Sequence, residues 1–534
     1  MPQWFAFLPI GAPLVLLAVR LLARRESGLR PRRVLGAGQG ATGLALALAL
    51  VAVAAVAFYG PVTSPVIGLG DWGLSIRLDA LSVTLFALVS FVGAIVVRFS
   101  RHYLDGDARQ GVFVGNLCLT LAAVSLLVLA GNLLQLVLAW IGTSLALQRL
   151  LLFYADRTGA VLAARKKYLV ARAGDGCLIL AVLMLAWSFG SGDIATLLAQ
   201  AREMAAGDQA IPLAVPFATL LLAVAALLKS AQFPTHGWLP EVVETPTPVS
   251  ALLHAGIINA GGFLVVRFAD VMLLSTSSLH LLALVGGFTA LFGSVVMLTQ
   301  SSVKVSLAYS TVAQMGFMFL QCGFGAFSVA VLHMVAHSLY KAHAFLSSGS
   351  VVELARASWV PGGEGRPHPL RVLAGLIAAV AILVGVGVLF GVTVQDKPAL
   401  LALGAILMLG LTHLFAQAME SRPRGYVLGR IAGIAVAVAL LYFTLQAGAA
   451  TWLATTLPAS PRPDTVTVAL MILAVGSFAL ITLLQIIAPY RLDRPRWRAA
   501  YVWIANGLYA NALFNRLLST LERPLPSSNK EISL

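Results

Sequence analysis

The chain has 534 residues, of which 59% are hydrophobic and only 11% are charged, and its mean hydropathy is +0.90. A soluble protein of this length would need far more charged surface, so the composition excludes a soluble enzyme and predicts an all-α polytopic membrane protein. The formal net charge of +15 at pH 7 would suit a nucleic-acid partner, but the positions of the charges argue against one.

A helix needs about 20 apolar residues to cross a bilayer, and the sequence predicts about 15 transmembrane helices, within a range of roughly 13 to 16. The predicted spans, in chain order, are residues 4–19, 37–58, 78–97, 113–130, 132–148, 173–189, 211–228, 248–266, 279–299, 306–323, 326–349, 372–393, 399–418, 431–446 and 466–487. The first is expected to be a span rather than a removable leader. Cys118, Cys177 and Cys322 lie far apart in apolar runs, which favours ordinary packing over a disulfide or a metal site.

Basic residues alternate between the two sides of these spans. The loops after odd-numbered spans hold 27 of the 36 Lys and Arg residues, and the loops after even-numbered spans hold five. By the positive-inside rule the odd-numbered loops are cytoplasmic, which places the N-terminus outside and the C-terminal tail inside. The basic balance is therefore a topology signal, with attraction to the lipid bilayer as a side effect, and no nucleic-acid partner is expected.

The stretch "KSAQFPTHGWLPEVVETPTPVSALLHAG" follows the seventh span. It begins with Lys229, continues through a proline-broken segment with Glu241 and Glu244, and places His254 inside the eighth span. Ionisable groups at bilayer depth are costly and mark ion paths, and broken backbone there lines a cavity. We expect a path that begins at Lys229 and His254, with the two glutamates at its cytoplasmic mouth. The alternatives are a snorkelling lysine and a satisfied core histidine.

The eleventh span contains "LHMVAHSLYKAHAFLSSGS". His333, His337 and Lys341 are four residues apart in turn, so they lie on one helical face. Two histidines at this spacing can bind a metal, but the lysine charge on the same face would oppose a cation. Imidazole titrates near neutral pH, so the stripe favours a proton relay over a metal site.

Weaker candidates lie near the predicted ends of spans, where a charge costs little. They are Asp79, Asp175 in "VARAGDGCL", and Lys304 in "SSVKVSLAYSTVAQMGF". After the last span, residues 491–534 combine aromatic, apolar and basic side chains. This favours an amphipathic helix at the cytoplasmic interface followed by a polar tail, with a sixteenth span as the alternative.

The segments quoted above, with "ARAGD" and "VKVSLAYSTVAQMGFMFL", resemble signature segments of the antiporter-like membrane subunits of respiratory complex I and of Mrp-type cation/proton antiporters. The resemblance covers roughly residues 75–350 in order. It implies an antiporter-like fold of two inverted five-helix repeats with broken helices. The implied regions are N-terminal helices in 1–112, a first repeat in 113–270, a second repeat in 271–420, C-terminal helices in 421–490, and the amphipathic helix with its tail in 491–534.

The resemblance also implies roles for individual residues. Lys229 resembles the lysine of the first broken helix, His254 the histidine of the next span, and Asp175 the aspartate of the sixth helix. Residues that resemble the connecting relay are Lys304, His333, His337 and Lys341.

One departure concerns the fifth span. Complex I-type subunits carry a glutamate there that pairs with the broken-helix lysine, whereas this chain reads "LAWIGTS" with Ile141 at that position. Candidate acidic partners in its place are Glu241, Glu244 and Asp175. Whether Asp396 or Lys397 serves as the counterpart in the second repeat is left open.

An antiporter-like subunit that lacks this glutamate and contains "SLYKAHAFLSSGS" is most similar to the membrane-subunit family of Dab inorganic-carbon accumulation complexes. This implies a bacterial inner-membrane subunit in which the flux of protons or other cations energises CO₂ uptake as bicarbonate. The implied partner is a large soluble zinc protein, β-carbonic-anhydrase-like, on the cytoplasmic face. No cofactor is expected on this chain, which by itself is not expected to be an enzyme. The alternatives are a proton-pumping subunit of a complex I-like dehydrogenase and an Mrp-type Na⁺/H⁺ antiporter subunit.

Overall fold

The structure is a computed structural model that describes residues 3–26, 31–207, 210–349, 369–418, 424–487, 491 and 494–520. Helices form almost all of this part. Four short strands between the second and third helices make two antiparallel pairs, and these are β1 (Val62–Thr63) with β4 (Arg77–Leu78) and β2 (Ile67–Leu69) with β3 (Trp72–Leu74).

The helices follow the chain in two halves. Those of the first half are α1 (Gly11–Arg25), α2 (Arg32–Tyr59), α3 (Ala80–Tyr103), α4 (Gln110–Val128), α5 (Leu133–Leu151), α6 (Thr158–Phe189), α7 (Ile194–Ala206), α8 (Ala214–Lys229), α9 (Trp238–Glu241), α10 (Thr247–Ala255), α11 (Ala260–Arg267) and α12 (Ala269–Met272). Those of the second half are α13 (Thr276–Met297), α14 (Val303–Gly323), α15 (Phe327–Leu346), α16 (Pro369–Leu389), α17 (Pro398–Ala418), α18 (Arg424–Leu453), α19 (Thr465–Ile487), α20 (Pro495–Ala505) and α21 (Ala510–Thr520). Short 3-10 helices cover Gln3–Ile10, Thr235–Gly237, Val242–Glu244, Ile257–Asn259 and Gly507–Tyr509.

Each predicted span coincides with a described helix, with differences at the helix ends. Twelve described helical stretches are long and apolar enough to cross a membrane, and two shorter apolar helices, Ala214–Lys229 and Pro398–Thr412, accompany them. The predicted span at residues 326–349 coincides with α15, which is 20 residues long and carries the polar stripe. The fold class, an all-α polytopic membrane protein with about 15 spans, is confirmed.

The stretch Thr247–Arg267 lies at the centre of the bundle. Inside the protein 94% of its apolar window is buried, against 11% for Thr465–Ile487. The His254 side chain therefore lies where neighbouring helices, and not lipid, surround it.

The polypeptide breaks between α8 and α10. The helix ends at Lys229, and Ala231 then adopts a left-handed φ of 50°. The Ser230 hydroxyl satisfies the Ile258 carbonyl oxygen at 2.6 Å. At Gly261 any side chain would collide with the facing helix, because a Cβ there would lie 2.3 Å from the Ala226 carbonyl oxygen. The absence of a side chain at Gly261 therefore lets α8 and α11 approach closely beside the break.

The start of α6 differs from the prediction. The sequence predicts a span from residue 173, whereas the helix runs for 32 residues from Thr158. Lys166, Lys167 and Asp175 are therefore buried along it, and Asp175 lies well inside the helix rather than at its start. Neighbouring segments cover these charged turns, and such packing sustains a helix beyond its apolar stretch.

The C-terminal region forms α20 and α21, joined at a kink where Leu508 has a φ of 52°. The Gln300 side chain binds the Ala505 carbonyl oxygen at 3.1 Å, so this region packs on the end of α13. The residue ranges expected for the two repeats and the C-terminal regions stay predictions. The polar tail after Thr520 lies outside the described residues.

Candidate functional site

Lys229 is the last residue of α8, and its side chain reaches α5. Its ammonium group donates to the Trp140 carbonyl oxygen at 3.0 Å and to the Ser144 hydroxyl at 2.7 Å. It also lies 4.2 Å from the centre of the Trp140 ring, a cation–π distance. These contacts hold Lys229 inside the protein, so the snorkelling alternative does not describe it.

The glutamates of the broken segment do not reach Lys229. Glu241 accepts a hydrogen bond from Lys166 at 2.6 Å. Glu244 lies 3.6 Å from Arg157, and 55% of its side chain is exposed. Each carboxylate has a closer cation, so within the described structure neither of these two candidate partners pairs with Lys229.

Asp175 acts on Lys229 through the electrostatic effect of its charge. Its carboxylate lies 2.6 Å from Arg172 on the same helix, and its charge acts on Lys229 across the α6–α8 contact. Ile141, at the position where the resemblance expects a glutamate, packs against the apolar core. Lys229 is therefore influenced by one carboxylate at a distance and hydrogen-bonded by neutral oxygens.

Lys167 is a site residue that sequence reasoning missed. Only 5% of it is exposed, and its ammonium donates to the Ser144 carbonyl oxygen at 2.7 Å. The sequence predicts a span from residue 173, which places "RKKYLVAR" in a basic cytoplasmic loop. The available signal is the spacing of Ala160, Ala164 and Ala171 around it, because these small apolar residues share the buried face of Lys167 and extend it backward from the predicted start.

His254 connects three helices at the centre of the bundle. Its Nδ1 lies 3.0 Å from the Thr311 hydroxyl, and its carbonyl oxygen accepts from His337 Nε2 at 3.2 Å. The Phe345 ring stacks on the imidazole at a centroid distance of 4.3 Å. The Nε2 atom is buried with no hydrogen-bond partner in the described structure, so the Thr311 contact holds only one of the two ring nitrogens.

The hydrogen bonds continue from His254 to Lys341. Thr311 donates its hydroxyl hydrogen to the Leu307 carbonyl oxygen at 3.1 Å, and Lys341 donates to the same oxygen at 3.0 Å. One carbonyl of α14 thus joins the histidine of α10 to the lysine of α15.

His333 lies at the far end of the α15 stripe. Its Nδ1 and Nε2 atoms are 3.0 and 2.7 Å from the side-chain oxygens of Gln321 and Gln314. Two oxygens suit a protonated imidazole, and rotation of either amide suits a neutral one. The site therefore accommodates both protonation states, and the ring centroids of His333 and His337 are 6.2 Å apart.

The structure places the other predicted residues at the periphery of this network. Lys304 donates to the Thr247 hydroxyl at 3.1 Å, at the end of the bundle that carries the broken segment. Asp396 and Lys397 are exposed before α17. There the Asp396 carboxylate accepts from the Thr393 hydroxyl at 2.6 Å. These last two side chains are not brought to the buried stripe.

Asp79 belongs to a buried ion cluster that sequence reasoning underrated. It lies 2.5 Å from Arg267 and 2.7 Å from Arg77, and it caps α3 through the Ser82 amide. Burial by itself raises the pKa of Asp79, but the two guanidinium groups outweigh it and hold this pKa below its usual range. The cluster lies at the opposite end of Thr247–Arg267 from the broken segment.

The C-terminal helix α21 meets the broken segment through Asn511. Its amide donates to Glu241 at 2.7 Å, and its oxygen accepts from Lys166 at 2.9 Å. Glu241 thus lies in a three-residue cluster that ties three distant parts of the chain together. No local sequence pattern predicts such a contact, because its members are up to 345 residues apart.

Several polar residues of α14 also escaped the sequence interpretation. Thr311, Gln314 and Gln321 are three and seven residues apart, a spacing that lies on one helical face. This face opposes the histidine stripe, and the spacing is the signal that would have identified it.

Two family models match the chain. The one described as "NADH:quinone oxidoreductase/Mrp antiporter, TM" matches residues 130–359, and the one described as "NADH-Ubiquinone oxidoreductase (complex I), chain 5 N-terminus" matches residues 67–114. The first includes every residue of the network from Trp140 to Lys341.

Curated relatives cover more of the chain. It is 36% identical to the probable inorganic carbon transporter subunit DabB2 of Halothiobacillus neapolitanus, over 96% of this chain and 87% of the relative. It is 38% identical to the probable inorganic carbon transporter subunit DabB of Hydrogenovibrio crunogenus, over 73% of each. It is 33% identical to the NAD(P)H-quinone oxidoreductase chain 5 of Synechocystis sp., over 57% of this chain and 46% of that one.

Two solved structures share the fold. A chain of the Mrp complex from Dietzia sp. DQ12-45-1b has a TM-score of 0.63 and 23% identity, over 99% of this chain and 61% of that chain. A chain of the archaeal membrane-bound sulfane sulfur reductase has a TM-score of 0.57 and 19% identity, over 95% and 99%. The molecule is therefore a multi-pass membrane protein with an antiporter-like fold.

Proposed function

Since this chain belongs to the family of inorganic carbon transporter membrane subunits, within the antiporter-like subunits of complex I and Mrp complexes, we propose that it conducts ions to energise inorganic carbon uptake. Protons are the favoured ion. The proposed partner is a large soluble zinc protein of the β-carbonic-anhydrase kind, which hydrates CO₂ to bicarbonate on the cytoplasmic face. The proposed site is the bacterial inner membrane, with the N-terminus outside.

One observation carries the proton-conducting part of the proposal. His254, His337 and Lys341 are held in one cluster by hydrogen bonds of 3.0–3.2 Å to the Thr311 hydroxyl and to the carbonyl oxygens of His254 and Leu307. The carbonyl oxygens position these three titratable groups but do not pass a proton on, so in the proposed path side-chain rotation or water completes each transfer. Histidine and desolvated lysine both exchange protons near neutral pH. Ionisable groups at bilayer depth are costly, and a purely structural anchor has no use for them.

The partners of the two lysines support the same reading. Lys229 and Lys341 donate to carbonyl and hydroxyl oxygens, which can accept a hydrogen bond both from an ammonium group and from a neutral amine. A proton can therefore leave either lysine without stranding an opposite charge in the bilayer. We propose that the path runs from Lys229 to the network of His254, His337 and Lys341. Lys304 and His333 lie at the two ends of that network. The charge of Asp175 acts on Lys229 at a distance.

The proposal assigns the zinc chemistry to the partner chain. Among the residues that the structure describes, no group of three His, Cys, Asp or Glu side chains could hold a metal ion. This chain then contributes the ion flux, and hydration of CO₂ takes place on the other subunit.

A second candidate function is proton pumping in a complex I-like dehydrogenase. The family match over residues 130–359 and the relative named NAD(P)H-quinone oxidoreductase chain 5 favour it. Ile141 counts against it, because the glutamate that the resemblance expects is absent there. A role as an Mrp-type Na⁺/H⁺ antiporter subunit would appear as a further outcome of the same experiment.

The test is purification of the tagged chain in gentle detergent, with mass spectrometry and a zinc assay on the proteins that accompany it. Accumulation of radiolabelled inorganic carbon is measured in the same cells. We expect one large soluble zinc protein and an accumulation that a protonophore abolishes. Lys229→Met should keep the partner but lose accumulation, whereas Arg101→Gln, at an exposed cation that ends α3, should match the wild type.

Other results would redirect the assignment. Quinone-reducing subunits in the purified complex would favour the dehydrogenase, and small hydrophobic subunits with sodium tolerance would favour the Mrp type. Wild-type carbon accumulation in Lys229→Met would remove Lys229 from the proposed path.

A further inference from the structure

The ammonium groups of two lysines, the half-buried Lys229 and the buried Lys167, converge on one residue of α5. Lys229 donates to the Ser144 hydroxyl at 2.7 Å, and Lys167 donates to the Ser144 carbonyl oxygen at 2.7 Å. Their nitrogens therefore lie within about 10 Å of each other, where two positive charges in a protein interior repel strongly.

The surrounding charges do not neutralise this pair. The titratable residues on α6 and on the elements packed against it are, in chain order, Arg149, Arg157, Arg165, Lys166, Tyr168, Arg172, Asp175, Cys177, Lys229, His236, Glu241, Glu244 and Arg516. Each of the three carboxylates in this set has its own cation, at 2.6 Å for Asp175 and Glu241 and at 3.6 Å for Glu244. The two lysines are thus left beside each other with neutral oxygens as their hydrogen-bond partners.

A small cavity lies beside the two lysines, between α5, α6 and α8. Ser144, Lys167 and Lys229 form part of its wall, and its volume is about 20 Å³. One water needs about 10–15 Å³ and two or more polar partners, so the cavity can hold one water between the lysines. Such a water can pass a proton from one nitrogen to the other.

We propose that Lys167 is a further proton-carrying residue, which shares a single proton with Lys229 across this cavity. The inference rests on the proposed function, because it adds a residue to the same ion path. In related subunits a nearby glutamate is expected to control when the lysine releases its proton. Here repulsion between the two lysine charges would control the release of the proton from Lys229.

The proton balance of the step is simple. A proton binds the neutral Lys167 amine while Lys229 is an ammonium, and the new positive charge repels the old one. The N–H bond on Lys229 breaks, and its proton moves to the next acceptor of the path. The proton on Lys167 then crosses through the water to Lys229, and the pair again holds one proton.

The test uses the purified complex that contains the full chain, reconstituted in liposomes with a trapped pH-sensitive dye. Proton uptake under an imposed potassium diffusion potential is measured as a function of pH. The variants are Lys167→Gln, Lys167→Arg, Lys229→Met as the reference for a blocked path, and Arg101→Gln as the control. Lys167→Met serves if Lys167→Gln does not accumulate in the membrane.

Loss of the neighbouring positive charge lets Lys229 hold its proton more tightly. In Lys167→Gln the pH of half-maximal uptake should therefore rise by about one unit, as expected for charges about 10 Å apart. Arginine keeps a charge that it cannot release, so Lys167→Arg should lose uptake altogether. A merely structural lysine predicts the reverse order, with arginine tolerated better than glutamine.

The failures are distinguishable. If Lys229→Met is blocked while both Lys167 variants keep the wild-type uptake and pH profile, the shared proton is refuted and the proposed function stands. If Lys229→Met conducts like the wild type, the proposed function itself fails, and the role of Lys167 fails with it.

Discussion

The molecule buries charge in two regions by two different rules. In the cluster of Asp79, Arg77 and Arg267, oppositely charged groups contact one another at 2.5–2.7 Å. In the proposed path of Lys229 and Lys341, the cations contact neutral oxygens instead.

The two arrangements differ in whether the charged groups can gain or lose a proton without losing their partners. A carboxylate that contacts two guanidinium groups keeps its ionisation, because its neutralisation would leave the buried Arg267 without a counter-ion in a low-dielectric interior. A lysine held by carbonyl and hydroxyl oxygens can be charged or neutral with the same partners. The first arrangement suits a clamp at one end of the central span, and the second suits a proton path.

The largest expected effect comes from breaking the clamp. Asp79→Asn leaves Arg267 buried without its counter-ion, which costs about 3–5 kcal/mol when a buried pair is broken. We expect a lower thermal unfolding midpoint and less protein in the membrane. Asp71→Asn, at an exposed carboxylate in the same connection, is the matched control and should change neither.

The pH dependence of this loss has a definite sign. Since the pKa of Asp79 is held below its usual range, its stabilising contribution is complete above the unfolded value near 3.9 and is lost as pH falls below it. The difference in unfolding midpoint between wild type and Asp79→Asn should thus stay constant from about pH 8 to pH 5. A difference that shrinks within this window would contradict the paired arrangement.

Lys341→Met should impair proton uptake strongly and change stability little, which is the reverse of Asp79→Asn. It removes a buried cation that contacts no carboxylate in the described structure, and the Leu307 carbonyl oxygen keeps its hydrogen bond from Thr311, so the unfolding midpoint should stay close to that of the wild type. Proton uptake into liposomes should be lost, because the stripe on α15 is interrupted. A large fall in the unfolding midpoint with retained uptake would make Lys341 a structural residue.

A smaller effect is expected at the C-terminal contact. Asn511→Ala removes two hydrogen bonds to charged groups, each worth about 1.5–3 kcal/mol. Hydrogen exchange in residues 495–520 should accelerate by about tenfold or more, which corresponds to about 1.4 kcal/mol. Unchanged exchange would show that α20 and α21 are held by their other contacts, such as that of Gln300 with Ala505.

The smallest effect is expected at Glu244. Its side chain is 55% exposed and lies 3.6 Å from Arg157, and exposed ion pairs contribute about 0–1 kcal/mol. Glu244→Gln should therefore leave uptake and stability near wild-type values. Loss of uptake as severe as in Lys341→Met would instead make Glu244 the acidic partner of the path.

Sequence reasoning was strong where the signal is local. Hydropathy and the alternation of basic loops predict the spans, and the spacing of His333, His337 and Lys341 predicts the face that they share on α15. It failed where the information is distributed over the fold. The buried start of α6 depends on segments that cover Lys166 and Lys167, and the clamp joins residues 188 positions apart. From the sequence, a charge near a predicted helix end is expected to lie in water at little energetic cost. Only the packing of the fold shows that it is buried.

The measurement that tests the central claim most directly is potential-driven proton uptake by the reconstituted complex, compared between wild type and Lys229→Met at matched protein amounts. The account predicts uptake in the wild type and background uptake in the variant, with unfolding midpoints that coincide. Equal uptake in both would contradict the claim that lysines held by neutral oxygens carry the proton.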